Sequence, residues 1–279
     1  MKFKKLSYPY ILFMLIFIVA PIALVIYYSI TTGALKELAG PEITFEYFIK
    51  FFKSKYMIVL WDSIKLAFKA TIICLLVGYP MAYWIAKTDV KFRNFMILLV
   101  MLPMWMNFLL RSYAWVNILS KNGILNSVLV NFGMEPVKLI YTETAVLIGM
   151  IYNFLPFMIL PIYTVIEKID NSLIEAASDL GANDFQTFWK VIFPMSIPGV
   201  ITGITMVFIP AISTFEISAL LGGNKFNLIG NVIEHQFRIV GDWHYGSAMS
   251  IVVMILILIS TMITNKYSEN DEKTGGGLW

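Results

Sequence analysis

Residues 170–194 read DNSLIEAASDLGANDFQTFWKVIFP and join two long uncharged runs, at 144–166 and 191–215. A helix needs about 20 mostly apolar residues to cross the hydrocarbon core of a bilayer. Both runs are long enough to do so. The polar stretch is therefore predicted to be a link between two membrane-spanning helices.

The same stretch carries the signals of two short helices. Ser172 and Glu175 have the spacing of a capping box, so a helix is predicted to begin directly after Ser172. Gly181 can end that helix in the left-handed conformation. Asp184 can cap a second helix, and Pro194 cannot continue its hydrogen-bond pattern. The pattern predicts a helix–glycine–helix hairpin that is too short to build a core of its own.

The composition indicates an integral membrane protein. Hydrophobic residues make up 58% of the 279 residues and charged residues only 14%, whereas a soluble domain has about 25% charged residues. The net charge of +3 gives no indication of nucleic-acid binding. A single cysteine, Cys74, excludes an internal disulfide and a cysteine-based zinc site.

Six apolar runs are long enough to span a membrane, and two of them contain one charge each. They lie between Lys5 and Lys36 and at residues 66–86, 94–120, 144–166, 191–215 and 245–265. We therefore predict an all-α polytopic fold with six transmembrane helices. Residues 1–265 form one membrane domain in this interpretation, with 266–279 as a tail whose last five residues are left out of the fold argument.

The basic residues of the short loops predict the orientation. Lysines at 2–5 precede the first run, and three basic residues crowd the link at 87–93. Such clusters favour the cytoplasmic side, which places both termini there. The first run is longer than the roughly 7–15 residues of a signal-peptide core, so we interpret it as an uncleaved anchor. Residues 44–52 have aromatic residues at helical spacing and predict a short helix on the outer membrane surface.

Five apolar residues of the hairpin are expected to be buried against another surface. They are Leu173, Ile174, Ala177, Leu180 and Phe185. They could pack on the membrane ends of the same chain, or they could fill a groove on a partner protein. The residues alone leave both interpretations open.

A known motif in this hairpin favours the second interpretation, a groove on a partner protein. Glu175-Ala176-Ala177, then Gly181, then 191–194 resembles the EAA loop of ABC-importer permeases, with its full spacing and with apolar exchanges at Val191 and Phe193. The resemblance implies the type I importer permease fold and a cytoplasmic coupling hairpin that docks into an ATP-binding subunit. The coupling residues it implies are Glu175, Ala176, Ala177, Asp179, Leu180, Gly181, Phe185 and Pro194.

The chain shows no phosphate-binding loop of the form Gly-x-x-x-x-Gly-Lys-Ser/Thr. We therefore expect no enzymatic activity and no cofactor in this chain, with ATP and Mg²⁺ bound by partner subunits. The resemblance implies those partners: a sister permease, two ATP-binding subunits and an external substrate-binding protein, assembled in a bacterial inner membrane. His235 and His244 have no carboxylate partners at metal-ligand spacing, so no metal site is predicted.

Several further segments resemble the polyamine branch of this family, in particular the first permease subunit of spermidine/putrescine importers. They are 78–83, 111–115, 220–223, 229–233 and 242–243. The resemblance implies a polyamine as the imported solute. Relatives that move ferric iron or other small solutes share several of these segments, so another solute is the alternative.

A cationic solute needs acceptors and aromatic faces along its path. Glu216 is the one carboxylate that we place within a span, where it could bind a substrate ammonium or instead pair with Arg111. The other candidate path residues are Trp105, Asn107, Tyr113, Phe215, Asp242 and Trp243. The aromatic residues could equally be packing residues, and the last two could lie in a solvated loop or contact the binding protein.

Two other functional classes remain open. An ion-driven transporter often has paired repeats and several intramembrane carboxylates, but the sequence shows no repeat and one such carboxylate. A membrane enzyme would need His, Asp or Ser residues clustered on facing spans. Retention of an ATPase by the purified protein would separate the permease from both.

Overall fold

The computed structural model describes residues 8–32, 42–53, 55–223 and 225–275. The first half contains helices α1 (Tyr8–Met14), α2 (Ala20–Ile30), α3 (Glu46–Lys53), α4 (Tyr56–Lys87), α5 (Val90–Trp105), α6 (Phe108–Leu119) and α7 (Ile124–Asn131). The second half contains α8 (Glu143–Glu167), α9 (Asn171–Asp179), α10 (Asp184–Thr187), α11 (Phe193–Ser213), α12 (Glu216–Gly222), α13 (Ile229–His235) and α14 (Trp243–Gly275). Strands β1 (Thr31–Thr32) and β2 (Glu42–Ile43) form one short antiparallel pair.

Three π-helical turns make longer helices out of these pieces. Leu15–Val19 joins α1 to α2, Phe188–Ile192 joins α10 to α11, and Gln236–Val240 extends α13. The all-α membrane fold predicted from the sequence is confirmed. The basic residues at 2–5 and the end of the tail at 276–279 lie outside the described residues.

Four of the described helices are long and apolar enough to cross a membrane. They are Pro9–Ile30, Glu143–Glu167, Asp184–Ser213 and Trp243–Thr264. Helix α5 and the segment Phe108–Asn131 meet at an angle of 94°. Counted together, they make a fifth candidate span. The run at 66–86 lies in the 32-residue α4, which is not among the four. The predicted six spans are compatible with this architecture.

The sequence predicted one helix over 94–120, but the structure divides this run into two helices. Helix α5 ends at Trp105 and α6 begins at Phe108, with a 94° bend between them. Pro103 lies inside the last turn of α5 and removes one helical donor. Asn107 then caps the next helix. Apolar composition alone could not show this corner, because both arms are equally apolar.

Helices α4, α8 and α11 form the centre of the bundle. Their backbones approach closely at glycines: a Cβ added at Gly203 would lie 2.8 Å from the Met158 sulfur, and one at Gly199 would lie 2.9 Å from the Pro161 carbonyl oxygen. Met158 and Ile162 are fully buried between these helices. Small residues allow the dispersion contacts that hold membrane helices together. The hairpin at 170–194 is thus attached to two helices of a rigid core.

The predicted outer helix at 44–52 is present as α3 (Glu46–Lys53). Its Phe51 is completely buried, whereas Ile49 and Phe52 on its other side are exposed. The His244 ring stacks on Tyr47 with centroids 5.6 Å apart, and its Nδ1 lies 2.9 Å from the Tyr28 carbonyl oxygen. These contacts tie α3 and the end of α2 to the start of α14.

Candidate coupling hairpin and substrate path

The first arm of the hairpin begins earlier than the sequence had predicted. The Asp170 carboxylate caps α9 by accepting a hydrogen bond from the Ser172 amide at 2.9 Å. This bond stabilises the ionised form and lowers the pKa of the Asp170 carboxyl. The predicted capping box of Ser172 and Glu175 is therefore wrong, because Asp170 already occupies the cap position. Glu175 remains exposed on α9.

The turn between the two arms confirms the role predicted for Gly181. Its φ of +83° is left-handed, and a Cβ there would meet no atom within 4 Å. The Gly181 amide donates to the Ser178 carbonyl at 2.9 Å, and the Ala182 amide donates to the Ala177 carbonyl at 3.0 Å. The backbone of the turn is therefore satisfied within the hairpin itself.

The second arm is capped by Asn183, one residue before the predicted Asp184. Asn183 and Gln186 form a reciprocal capping box with distances of 2.9 and 3.1 Å. The arm then continues into the next span as one helix over Asp184–Ser213. Pro194 does not end it, because the π turn Phe188–Ile192 directly precedes the proline and shifts the hydrogen-bond pattern there.

The apolar residues of the hairpin divide between its two faces. Ile174 packs inward against the buried cluster that includes Ile166. Leu173, Leu180 and Phe185 face outward with 44%, 89% and 71% of their surface exposed. Packing on the same chain is therefore confirmed for Ile174, whereas a groove on a partner stays a prediction for the three exposed residues. We refer to Leu180 and Phe185 as the hairpin tip.

An aromatic cluster connects the tip to α4. Phe185 contacts Trp189 with ring centroids 6.2 Å apart, and Phe188 contacts Tyr83 at 5.4 Å. The Tyr79 hydroxyl lies 2.7 Å from the Ser196 hydroxyl. Edge-to-face ring pairs at these distances add about 0.5–1.5 kcal/mol each to the packing. The second arm of the hairpin is therefore packed against α4 where it continues into α11.

The remaining hairpin residues that the resemblance singled out lie along this frame. Ala176 and Asp179 are exposed on α9, Ala177 is half-buried, and Pro194 is exposed at the base of α11. Arg93 of α5 forms an ion pair with Glu167 at 3.5 Å beside the base of the hairpin. The structure thus brings these residues into one surface at one end of the bundle.

The first group of candidate path residues surrounds the bend between α5 and α6. The Asn107 side chain accepts from the Leu109 amide at 2.9 Å. Arg111 donates to the Pro103 carbonyl at 2.7 Å and so satisfies an acceptor at the bend. Trp105 and Tyr113 are 71% and 53% exposed. Asn107 and Arg111 therefore shape the corner, and the two aromatic residues remain available to a ligand or to lipid.

The sequence predicted that the fifth spanning helix continues through Glu216, but the structure breaks that helix before it. Helix α11 ends at Ser213, and the exposed Glu216 begins the separate short helix α12. No ion pair joins Glu216 to Arg111 within the part of the chain that the structure describes. Helix α12 nevertheless packs against α6, so the two segments are neighbours.

Asn231 holds this second break and was not found from the sequence. Its side-chain amide donates to the Phe215 carbonyl at 2.8 Å, and its oxygen accepts from the Leu228 amide at 3.0 Å and from the Ser218 hydroxyl. The Phe215 carbonyl, which also accepts from the Ala219 amide at 2.9 Å, thereby gains a further partner on α13. The only sequence signal was that 229–233 belongs to a segment of family resemblance.

Asp242 has a structural task at the start of α14. Its carboxylate accepts from the Tyr245 amide at 2.9 Å. Trp243 is 56% exposed, and its ring lies 5.5 Å from that of Phe237. Both residues lie at the end of the bundle that contains Glu216 and the bend, and at the opposite end from the hairpin.

Comparison with known proteins places this arrangement in a family. The family model described as "Binding-protein-dependent transport system inner membrane component" matches residues 74–272, which include the hairpin and both breaks. The chain belongs to this family. It is an integral inner-membrane permease subunit of a transport system. Several of its helices span the membrane.

Relatives at higher identity cover nearly the whole chain. A spermidine/putrescine transport system permease protein PotB of Haemophilus influenzae is 44% identical over 261 residues, which are 92% of this chain and 91% of that protein. Its counterpart in Escherichia coli is 38% identical over 252 residues, covering 90% and 92%. A bacterial alginate ABC transporter, solved with a pentasaccharide-bound periplasmic protein, superposes with a TM-score of 0.78 at 20% identity over 97% of this chain and 95% of that one.

Proposed function

We propose that this permease forms part of the membrane path of an ATP-driven importer of polyamines. The observation that carries the proposal is the 44% identity, over 92% of the chain, to a protein named as a spermidine/putrescine permease. A solute with two or three ammonium groups matches an exposed carboxylate beside an aromatic ring, as at Glu216 and Phe215. Aromatic rings attract ammonium groups by about 0.5–2 kcal/mol each.

The hairpin tip is the proposed docking site for an ATP-binding subunit. Leu180 and Phe185 expose apolar surface at the end of the bundle that also carries basic residues of the link at 87–93. Those charges favour the cytoplasm, where ATP is present, and both termini would then lie on that side. Binding of ATP and Mg²⁺ would occur in the partner subunits, which supply the hydrolysis.

The same proposal assigns the opposite end to the external side. A substrate-binding protein would deliver the solute there, and Asp242 and Trp243 are the candidate contacts. A sister permease would complete the path, with Trp105, Tyr113, Phe215 and Glu216 along it. ATP binding would draw the hairpins of the two permeases together and open the path outward, and hydrolysis would reset it inward.

The test is the ATPase rate of the assembled transporter in lipid, with its binding protein present. We would titrate spermidine, putrescine, ferric iron and one amino acid. Stimulation by a polyamine alone, several-fold above the basal rate, is expected. Stimulation by ferric iron or the amino acid would assign the permease a different solute, and failure to retain any ATPase would contradict the coupling proposal.

A further inference from the structure

An apolar groove of about 420 Å³ lies apart from the hairpin and from the candidate substrate path. It opens between α3, α4 and α14, and its exposed lining is entirely apolar. Residues of all three helices contribute to it: Phe48, Phe52, Trp61, Ile64, Ile255 and Leu256. A cavity without polar groups cannot hold a polyamine or a nucleotide, so it is not a second solute site.

The groove is separate from the core beneath it. The same helices already bury Phe51, Leu60 and Val253 to 5% exposure or less. Phe52, Trp61 and Ile255, which lie next to the buried set, keep 55%, 58% and 48% of their surface exposed. The bundle is therefore closed without an occupant, and the groove is an additional surface.

The groove runs from the membrane interface into the hydrocarbon. Trp61 lies among charged residues, with the Lys65 ammonium 5.6 Å from the centre of its ring. This is the usual position of an interfacial tryptophan. Ile255 lies 13 residues after Asp242, the last charge before α14, which corresponds to about 20 Å along a helix. An extended hydrocarbon chain matches that course.

The interfacial end of the groove is basic. Residues 46–65 carry four lysines and two acidic residues. Lys65 has an exposed partner in Asp62 at 3.4 Å. Lys53 and Lys55 have no carboxylate within ion-pair distance among the described residues. A phosphate at this end would meet a net positive charge.

We propose that the groove binds one anionic phospholipid. One acyl chain lies along Trp61, Ile64 and Ile255, and the headgroup phosphate faces Lys53 and Lys55. The entirely apolar lining selects a hydrocarbon chain, and the lysines select a negative headgroup over a zwitterionic one. The lipid would hold α3 against α4 and α14 at the outer end of the bundle.

Native mass spectrometry of the assembled transporter tests this proposal. The complex is released from nanodiscs that contain equal amounts of phosphatidylglycerol and phosphatidylethanolamine. One variant, Ile255→Trp, fills the groove. Its control, Ile263→Trp, places the same bulk on the same helix at a site that is 55% exposed and outside the groove.

A second pair of variants tests the headgroup contact. It replaces Lys53 and Lys55 together by Gln, and the control replaces Lys121 and Lys138 by Gln. This pair keeps the proposal testable if Ile255→Trp fails to fold, because exposed lysines are not needed for the core.

We expect the unaltered complex to retain one phosphatidylglycerol at least threefold more often than phosphatidylethanolamine. Filling the groove or removing its lysines should lower that retention at least threefold, and neither control should change it. Equal retention of the two lipids would overturn the proposal. So would unchanged retention in Ile255→Trp, or loss of the sister permease in that variant, which would show that a protein covers the groove.

Discussion

The hairpin at 170–194 and the broken segment around Glu216 are both short helices next to a span, but they are held in opposite ways. The hairpin satisfies its own backbone through Asp170, Gly181 and the Asn183–Gln186 box. The segment at 213–218 depends on Asn231, which lies 13 or more residues further along the chain.

This difference indicates a division of tasks. A hairpin whose backbone is satisfied locally keeps its shape without help from distant segments, and it leaves its apolar tip exposed for another protein. A segment held by distant side chains keeps its geometry only while the bundle around it is intact. Variants of the two regions should therefore affect different measurements: energy coupling in the first case, and stability together with transport in the second.

The largest effect is expected for Gly181→Val. A β-branched residue at a φ of +83° costs about 1–3 kcal/mol of backbone strain and should displace the second arm. We expect polyamine uptake to fall more than tenfold while the helix content by circular dichroism is unchanged.

Gly133 provides the matched control for this variant. Its φ is +76°, and a Cβ there also meets nothing within 4 Å, but it lies in a different loop. Gly133→Val should keep uptake within twofold of the parent. An equal loss in both variants would show that uptake responds to strain anywhere and would remove the special role of the hairpin.

The double change Leu180→Gln and Phe185→Gln should have the next largest effect. Both side chains are exposed within this chain, so their replacement should leave the melting temperature unchanged. Loss of two buried apolar anchors at an interface costs about 2–5 kcal/mol. We expect co-purification of the ATPase to fall at least tenfold, measured by quantitative immunoblot.

Phe132, which is 77% exposed, serves as the control for the tip. Phe132→Gln removes similar apolar surface from another part of the molecule and should retain the ATPase fully. If the tip variant also retained it, the docking site would have to be elsewhere.

Asn231→Ala should produce the contrasting result. Removal of its side chain leaves the Leu228 amide without its partner, at a cost of about 1–3 kcal/mol, and removes the bond that ties the Phe215 carbonyl to α13. The melting temperature and uptake should fall together, while the ATPase remains bound. A stable variant with reduced uptake would instead indicate that Asn231 contacts the solute.

The smallest effect is expected for Glu216→Gln. A single exposed charge near an ammonium contributes about 1 kcal/mol, which corresponds to roughly a fivefold change in affinity. The polyamine concentration for half-maximal ATPase stimulation should rise by about that factor without a change in melting temperature. Glu135→Gln, at another exposed glutamate, should change neither quantity; equal effects would indicate general electrostatics only.

The sequence predicted the hairpin well because its signals are local. Capping residues and a turn glycine act within four residues, and the errors at Ser172 and Asp184 were shifts of one or two positions. Pro194 was misinterpreted, because a π turn compensates for the missing donor and has no simple sequence signature.

The path was predicted less well because its geometry depends on contacts between distant residues. Nothing around Glu216 indicates that α11 ends at Ser213, since that end is supported by Asn231 on α13. The bend after Pro103 is likewise completed by Arg111, whose charge had suggested a partner in Glu216 rather than a carbonyl. Apolar runs reveal which segments enter a membrane but not where those segments break.

The most direct measurement is site-specific photo-crosslinking in the assembled transporter, with a photoreactive residue placed at Phe185 or at Phe132. Both positions are more than 70% exposed within this chain, so both probes are accessible. We predict that the probe at position 185 forms an adduct with the ATPase subunit and that the probe at position 132 forms none. No adduct from position 185, or an ATPase adduct from position 132 alone, would contradict the proposal that the hairpin couples this permease to the ATPase subunit.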